Sequence, residues 1–251
     1  MHPVLQGLIA TTFTYLVTAL GASLVFFLKK VNKKILDIMM GFAAGVMIAA
    51  SFWSLLEPAI KLAESLDKIP FVAPSIGFAC GGLFIIISDI LLGKKVKGNN
   101  KRSFLLTSAV TLHNIPEGMS VGVAFGILAL GVEGTSFVGA VLLAIGIGIQ
   151  NFPEGSCVSL ALRGNGMKRG KAFFYGQISA IVEPIAGVIG VLFALTVQNL
   201  LPFLLSFSAG AMIAVVCSEL IPESFEDNKT LASIGVILGF IIMMVLDVAL
   251  G

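Results

Sequence analysis

Residues 41–49 read Gly-Phe-Ala-Ala-Gly-Val-Met-Ile-Ala, and residues 206–214 read Ser-Phe-Ser-Ala-Gly-Ala-Met-Ile-Ala. Each stretch continues to two large aliphatic residues with an adjoining Glu and Pro, at 55–58 and at 220–223. The segments that follow also match, because 80–93 aligns without a gap on 238–251. The chain is therefore predicted to contain a repeat of two consecutive elements.

The composition identifies the solvent that surrounds these elements. Hydrophobic residues make up 57% of the 251 residues and charged residues only 12%, about half the charged fraction of a soluble domain. A globular core of this length cannot bury so much apolar surface. We therefore predict an all-α polytopic membrane protein that forms one transmembrane domain, 1–251. The net charge of +2 gives no nucleic-acid-binding footprint.

Long apolar runs predict eight transmembrane helices, since about twenty residues cross a bilayer as a helix. The predicted spans are 4–28, 38–56, 69–92, 103–125, 134–162, 172–200, 202–222 and 230–250.

The basic residues predict the orientation of these spans. Fourteen of the sixteen Lys and Arg residues lie in the connections after spans 1, 3, 5 and 7, and only Lys61 and Lys68 lie on the other side. The positive-inside rule then places those connections in the cytoplasm and both termini outside. Spans 2 and 3 run in the opposite direction to their counterparts 7 and 8, and inverted repeats of this kind are typical of alternating-access transporters.

A second repeat occurs in spans 4 and 5. Residues 113–118 read His-Asn-Ile-Pro-Glu-Gly, and residues 150–155 read Gln-Asn-Phe-Pro-Glu-Gly. Residues four apart share a helix face, so each motif is expected to place an imidazole or amide beside a glutamate. The proline within each motif bends the helix and frees a backbone carbonyl oxygen at this depth, and the final glycine permits close helix packing.

Charge pairing restricts what lies beside these glutamates. Glu117, Glu154 and Glu183 are in mid-span, and neither 103–162 nor 172–228 contains a Lys or Arg. One ionised group at the membrane centre costs at least about 2.5 to 3.5 kcal/mol. Either the carboxylates are protonated, or a cation from outside the chain lies among them. Glutamate, imidazole and amide oxygen together suit Zn²⁺, Fe²⁺, Mn²⁺, Co²⁺ or Cd²⁺.

The paired Asn-x-Pro-Glu-Gly motifs resemble those of the ZIP (Zrt/Irt-like) family of divalent metal transporters. The short chain, without a histidine-rich loop, is most similar to the GufA-type prokaryotic members. This resemblance covers the whole chain and implies a 3+2+3 arrangement of eight helices in the cytoplasmic membrane of a prokaryote. It also implies transport of divalent metal ions into the cytoplasm, Zn²⁺ first, and no catalytic cofactor.

The resemblance further implies a metal site that binds two ions. His113, Glu117, Gln150 and Glu154 would form one subsite, and Asn114, Asn151 and Glu183 the other, with Glu117 and Glu154 bridging. Many family members have Asp at the position of Asn151, which leaves the occupancy of the second subsite open. Met47 falls where the family can place a soft ligand, and a methionine that only packs is the alternative.

Candidate residues for the entrance and exit lie in spans 2 and 7. Residues 218–223 resemble the family's His-Glu-Leu-x-Pro-Glu exit motif, with Ser218 in place of the histidine and Glu219 and Glu223 as candidate ligands. Their repeat counterpart Glu57 is a candidate at the entrance. An ordinary glutamate at the membrane interface is the alternative in each case.

Two other functions stay open from the residues alone. An intramembrane metal-dependent hydrolase would normally use a His-Glu-x-x-His motif, and the second motif has Gln where a histidine would be needed. A proton-coupled carrier of a small organic solute would use the same buried carboxylates. The residues also leave open the coupling ion and the oligomeric state, including a homodimer.

Overall fold

The computed structural model describes residues 1–28, 33–95, 101–132, 135–164, 166–226 and 228–250. Long helices account for most of this part of the chain, which confirms the predicted all-α class. Seven of them are long and apolar enough to cross a membrane when only the described residues are searched, and Lys101–Ala129 is an eighth long helix. The eight helices are α1 (Pro3–Phe27), α2 (Lys33–Ser65), α3 (Val72–Lys95), α4 (Lys101–Ala129), α5 (Phe137–Gly164), α6 (Arg169–Thr196), α7 (Leu201–Ser224) and α8 (Lys229–Leu250).

Helix α2 extends beyond the predicted span 38–56, although Pro58 lies only two residues after the end of that span. A π-helical turn at Ser51–Leu56 accommodates the proline, and the N–H group of Glu57 donates to the carbonyl five residues back, that of Phe52. The wider turn relieves the clash between a proline ring and the carbonyl four residues before it. The helix therefore continues to Ser65.

Helix α7 also contains a π-helical turn just before a proline. Its π-helical turn covers Val216–Leu220, and the N–H group of Ile221 donates to the carbonyl of Val216. Ile221 immediately precedes Pro222, as Glu57 precedes Pro58. The two predicted repeats therefore share an irregularity of the backbone as well as a sequence.

Helix α6 is interrupted just before Glu183. It consists of Arg169–Ile178 and Val182–Thr196, joined by tight turns in which Ala180, Ile181 and Glu183 donate to carbonyls three residues back. Glu183 thus lies in the first turn of the second half of the helix, where the helix dipole favours a negative charge.

The closest helix pairs reproduce the inverted repeat. Helix α2 packs along α8 and α3 along α7, while α1 packs along α5 and α4 along α6. Gly81 lies so close to Phe207 that an added Cβ would be 1.9 Å from the Phe207 carbonyl oxygen, and Gly239 faces the Phe42 carbonyl oxygen at 2.1 Å. These four residues are equivalent in the two sequence alignments, so the repeats pack in the same register.

The packing places the two motif helices next to α1 and α6. Helices α1, α4, α5 and α6 form one group, and α2, α3, α7 and α8 form a second. Helix α5 also contacts α2 and α8, and α4 also contacts α7. The motifs therefore lie inside the first group, beside its boundary with the second.

Candidate metal centre

The described polar side chains of the two motifs are buried, as is Glu183 of α6. Asn114, Glu117, Gln150, Asn151 and Glu183 have no exposed surface, and Glu154 is only 8% exposed. Pro116 lies inside α4 and Pro153 inside α5. The chain thus buries three carboxylates and three amides.

Two glycines bring the helices together at this depth. A Cβ on Gly118 would be 2.4 Å from the backbone oxygen of Glu183, and a Cβ on Gly155 would be 2.1 Å from that of Thr18. Only glycine fits such distances between backbones. Each motif glycine therefore holds its neighbouring helix against the carboxylates.

A hydrogen bond joins the two motifs directly. The side-chain Nε2 of Gln150 donates to Glu117 Oε1 at 2.6 Å. The other oxygens of these two side chains, Glu117 Oε2 and Gln150 Oε1, are buried and have no hydrogen-bond partner among the described residues. The link thus fixes both side chains and leaves one oxygen on each available for a ligand.

A second network joins α5, α6 and α1. The Nδ2 atom of Asn151 donates to Glu183 Oε1 at 2.9 Å, and the Thr14 hydroxyl donates to Glu183 Oε2. Asn151 Nδ2 also lies 3.4 Å from the backbone oxygen of Thr14. Asn151 Oδ1 is buried and has no partner within the described part of the chain.

The unpartnered atoms fit a cation. Glu117 Oε2, Gln150 Oε1, Asn151 Oδ1 and both polar atoms of Asn114 have no hydrogen-bond partner among the described residues, although such buried groups are normally paired. Carboxylate and amide oxygens are ligands for divalent metal ions. Within the described residues no group of three or more His, Cys, Asp or Glu side chains is placed to hold a metal ion, and the side chain of His113 lies outside those residues.

A small cavity lies on one side of these residues. It has a volume of about 30 Å³, room for about one ion or water molecule, and Met47, Glu154, Glu219, Glu223 and Cys157 are among its lining residues. The structure therefore brings the predicted soft ligand and two exit candidates together beside Glu154. Ser218 is exposed and does not line this cavity.

A larger cavity lies toward the other end of α2, α4, α5 and α8. Its volume is about 470 Å³, and Glu57 and Asp247 line it. Glu57 forms an ion pair with Lys61 at 2.7 Å, and Ser54 donates to Asp247 Oδ1 at 2.7 Å. The entrance candidate therefore lies in a cavity separate from the one at the exit candidates.

One predicted ligand and two overlooked residues complete the comparison with the sequence. The side chain of His113 lies outside the described part of the structure. Thr14 was overlooked because a threonine in an apolar span can simply pack against its neighbours. The sequence feature that could have identified it is the spacing of Thr11, Thr14 and Thr18, which places three hydroxyl groups on one helix face. Asp247 of α8, which is not among the predicted site residues, accepts a hydrogen bond from Ser54 of α2.

Similarity to known proteins over nearly the whole chain identifies its family. A family model described as ZIP Zinc transporter matches residues 93–247. The chain is a member of the ZIP family. The Zinc transporter ZIP11 of Xenopus tropicalis is 38% identical, with 99% of this chain and 98% of the relative covered. The Zinc transporter GufA of Myxococcus xanthus is 34% identical, with 98% and 99% covered.

The bacterial relatives confirm the GufA-type resemblance of this ZIP chain. The Zinc transporter ZIPB of Bordetella bronchiseptica is 34% identical, and the match covers 93% of this chain and 78% of that relative. Both bacterial relatives thus match far beyond the paired motifs, since nearly the full length of this chain aligns with each.

Proposed function

We propose that this ZIP chain carries divalent transition metal ions across the cytoplasmic membrane of a prokaryotic cell, with Zn²⁺ as the first candidate substrate. Fe²⁺, Mn²⁺, Co²⁺ and Cd²⁺ suit the same ligand types. The observation that carries the proposal is the set of buried carboxylate and amide oxygens that lack hydrogen-bond partners among the described residues. The names of the relatives, all zinc transporters, support zinc within this set.

The proposed metal site lies between α4, α5 and α6. His113, Glu117, Gln150 and Glu154 form its first subsite, and Asn114, Asn151 and Glu183 form the second. Three carboxylates in one buried region repel one another, and a divalent cation among them would neutralise this repulsion. The link between Gln150 and Glu117 holds two ligands in place before the metal arrives, which reduces the ordering that binding requires.

The proposed path runs from the larger cavity through the metal site to the smaller one. Glu57 lines the larger cavity, and Met47, Glu219 and Glu223 line the smaller cavity together with Glu154. With both termini outside, as the positive-inside rule predicts, the larger cavity faces outward and the path leads into the cytoplasm. Asn114, Glu117, Gln150, Asn151 and Glu183 have no exposed surface, so we expect the helices to move when a metal ion enters and leaves.

The side chains on the outside of the helices support a location in lipid. Large apolar side chains such as Leu16, Leu20, Ile86 and Ile241 are exposed on α1, α3 and α8. A soluble monomer rarely exposes apolar surface on this scale.

Two other functions compete with metal transport: transport of an organic solute and hydrolysis within the membrane. An organic solute carrier would require no cluster of unpartnered metal-binding oxygens, and membership in the ZIP family, a family of transporters, decides against an intramembrane hydrolase. The chain therefore has no proposed catalytic residue and no catalytic cofactor.

Uptake of radioactive Zn²⁺ into proteoliposomes tests the proposed function. We expect saturable uptake by the natural chain and almost none by Glu117→Gln, which keeps the shape of the side chain and removes its charge. Glu64→Gln makes the same chemical change at an exposed position of α2 and should transport normally. Unlabelled Fe²⁺, Mn²⁺, Co²⁺ and Cd²⁺ as competitors rank the substrates. Equal uptake by Glu117→Gln and Glu64→Gln would overturn the proposed site.

A further inference from the structure

Thr14 contacts the metal centre from α1, a helix that supplies none of the proposed ligands. The side chain is fully buried, and its hydroxyl donates to Oε2 of Glu183. Thr18, one turn along the same helix, donates to the backbone oxygen of Thr14 at 3.3 Å. Asn151 Nδ2 holds the other oxygen of that carboxylate at 2.9 Å. Both oxygens of Glu183 are therefore held by side chains of neighbouring helices.

The Thr14 hydroxyl has one proton and two acceptors within reach. Its oxygen lies 2.9 Å from the backbone oxygen of Thr11 as well as next to Glu183. An ionised carboxylate is a stronger acceptor than a neutral carbonyl. The hydroxyl therefore donates to Glu183 whenever that side chain carries its charge.

The position of Glu183 determines which way the Asn151 amide points. An ionised carboxylate can only accept hydrogen bonds, and of the two polar atoms of an amide only the nitrogen can donate. Nδ2 of Asn151 must therefore face Glu183, and Oδ1 is left without a hydrogen-bond partner among the described residues. Metal ions bind the oxygen of an amide, so this orientation leaves Asn151 able to act as a ligand.

We propose that Thr14 is a positioning residue for metal binding: it fixes Glu183, and Glu183 fixes the Asn151 amide with its oxygen free for the metal. The inference rests on the proposed function, because it requires a metal to bind at Asn151. Without the Thr14 hydroxyl, the carboxylate can rotate and the amide can turn its nitrogen toward the metal. Because an N–H donor does not coordinate a cation, that orientation opposes binding.

Thr14→Val tests this role, since it removes the hydroxyl and preserves the shape of the side chain. The expected result is a KM for Zn²⁺ uptake about tenfold higher, the effect of losing one hydrogen bond to a charged group, with a smaller change in the maximal rate. Thr14→Ser restores the hydroxyl and should restore the KM. If Thr14→Val does not fold, Thr14→Ala can replace it, because it removes the same hydroxyl and leaves a smaller side chain. The same rise in KM is expected for it.

Thr11→Val is the matched control on the same helix. Thr11 is equally buried, but its hydroxyl donates at 2.8 Å to the backbone oxygen of Gly7, within α1. We expect a KM equal to that of the natural chain. A rise as large as that of Thr14→Val would show that any buried hydroxyl of α1 is needed, and would overturn the inference.

A second pair of variants separates positioning from a general structural role. Asn151→Asp replaces the amide by a carboxylate, whose two oxygens are equivalent, so no wrong orientation exists. Thr14→Val should then raise the KM less than twofold in the Asn151→Asp background, against about tenfold in the natural background. Equal increases in the two backgrounds, or no restoration by Thr14→Ser, would contradict the proposed role.

Glu117→Gln, measured beside these variants, distinguishes the two proposals. If Glu117→Gln transports normally, the proposed metal site is wrong. If Glu117→Gln abolishes uptake while Thr14→Val keeps the KM of the natural chain, the metal site stands and only the role of Thr14 is wrong.

Discussion

Gln150 of α5 donates a hydrogen bond to Glu117 of α4 at 2.6 Å and so joins the two proline-containing motifs of the chain. The bond occupies one oxygen of the glutamate and the nitrogen of the amide. The remaining oxygens of both side chains are buried, and neither has a hydrogen-bond partner among the described residues. Two equivalent motifs on neighbouring helices thus produce one fixed pair of unpartnered oxygens, the pair that we propose as metal ligands.

Gln150→Ala removes one of these oxygens and leaves Glu117 Oε1 without its donor. We expect the KM for Zn²⁺ uptake to rise about 10- to 100-fold, the range for losing a group that holds or orients a metal ligand. Gln177→Ala is the matched control, because Gln177 accepts a hydrogen bond from Tyr15 at 2.5 Å outside the proposed ligand set. Its KM should stay within twofold of the natural value, and equal losses in the two variants would refute a specific role for Gln150.

Gly118→Ala tests the close packing of α4 against α6. The added Cβ would be 2.4 Å from the backbone oxygen of Glu183, so we expect a loss of stability of about 1 to 3 kcal/mol. Thermal unfolding in detergent measures the loss. Gly164→Ala is the control, because nothing lies within 4 Å of its new Cβ atom. It should unfold at the same temperature as the natural chain or slightly above it.

Glu57→Gln tests the proposed entrance. Glu57 lines the larger cavity and is partly exposed, so its charge would attract cations but hold them weakly. We expect the KM for Zn²⁺ to rise two- to threefold at low ionic strength, and the difference to shrink in high salt because exposed charges are screened. A difference that does not depend on salt would point to direct ligation by Glu57.

Ser218 and Glu223 give opposite predictions at the proposed exit. Ser218 is exposed and lies outside the smaller cavity, whereas Glu223 lines it together with Glu154. Ser218→Ala should therefore transport as the natural chain does. Glu223→Gln should lower the maximal rate of Zn²⁺ uptake by slowing release. A larger effect of Ser218→Ala than of Glu223→Gln would reverse this assignment.

The predicted orientation can be tested with a single cysteine. A variant without the three native cysteines and with His2→Cys should react in intact cells with a maleimide that cannot cross the membrane. Ser65→Cys, at the end of α2, should react as well, since both positions are predicted to face outward. Labelling only after the cells are broken would place the N-terminus in the cytoplasm.

The sequence was sufficient to predict the helices and the repeat because both depend on local pattern. Long apolar runs predicted the helices, and two sequence matches, 41–49 with 206–214 and 80–93 with 238–251, predicted the repeat. The close contacts of Gly81 and Gly239 are equivalent in the two copies of that repeat. The extension of α2 to Ser65 could not be predicted in this way. It depends on a π-helical turn, and the same Leu-Leu-Glu-Pro residues are equally compatible with the end of a helix.

Glu117, Gln150 and Glu154, which the sequence analysis singled out, are all buried, but the sequence could not predict how the two motifs are linked. A helical pattern places Gln150 over Glu154 on one face, whereas the structure shows Gln150 bonded to Glu117 of the other helix. The role of Thr14 depends on the packing of α1 against α5 and α6. Contacts of this kind between helices depend on the tertiary fold, so the periodicity of the sequence does not predict them.

Anomalous X-ray scattering at the zinc absorption edge, from crystals grown with Zn²⁺, tests the central claim most directly. We expect a peak within coordination distance, about 2.0 to 2.2 Å, of Glu117 Oε2, and no such peak in crystals of Glu117→Gln. A chain that is active in uptake and shows zinc only away from Glu117, Gln150 and Asn151, with the buried oxygens still empty, would contradict the account.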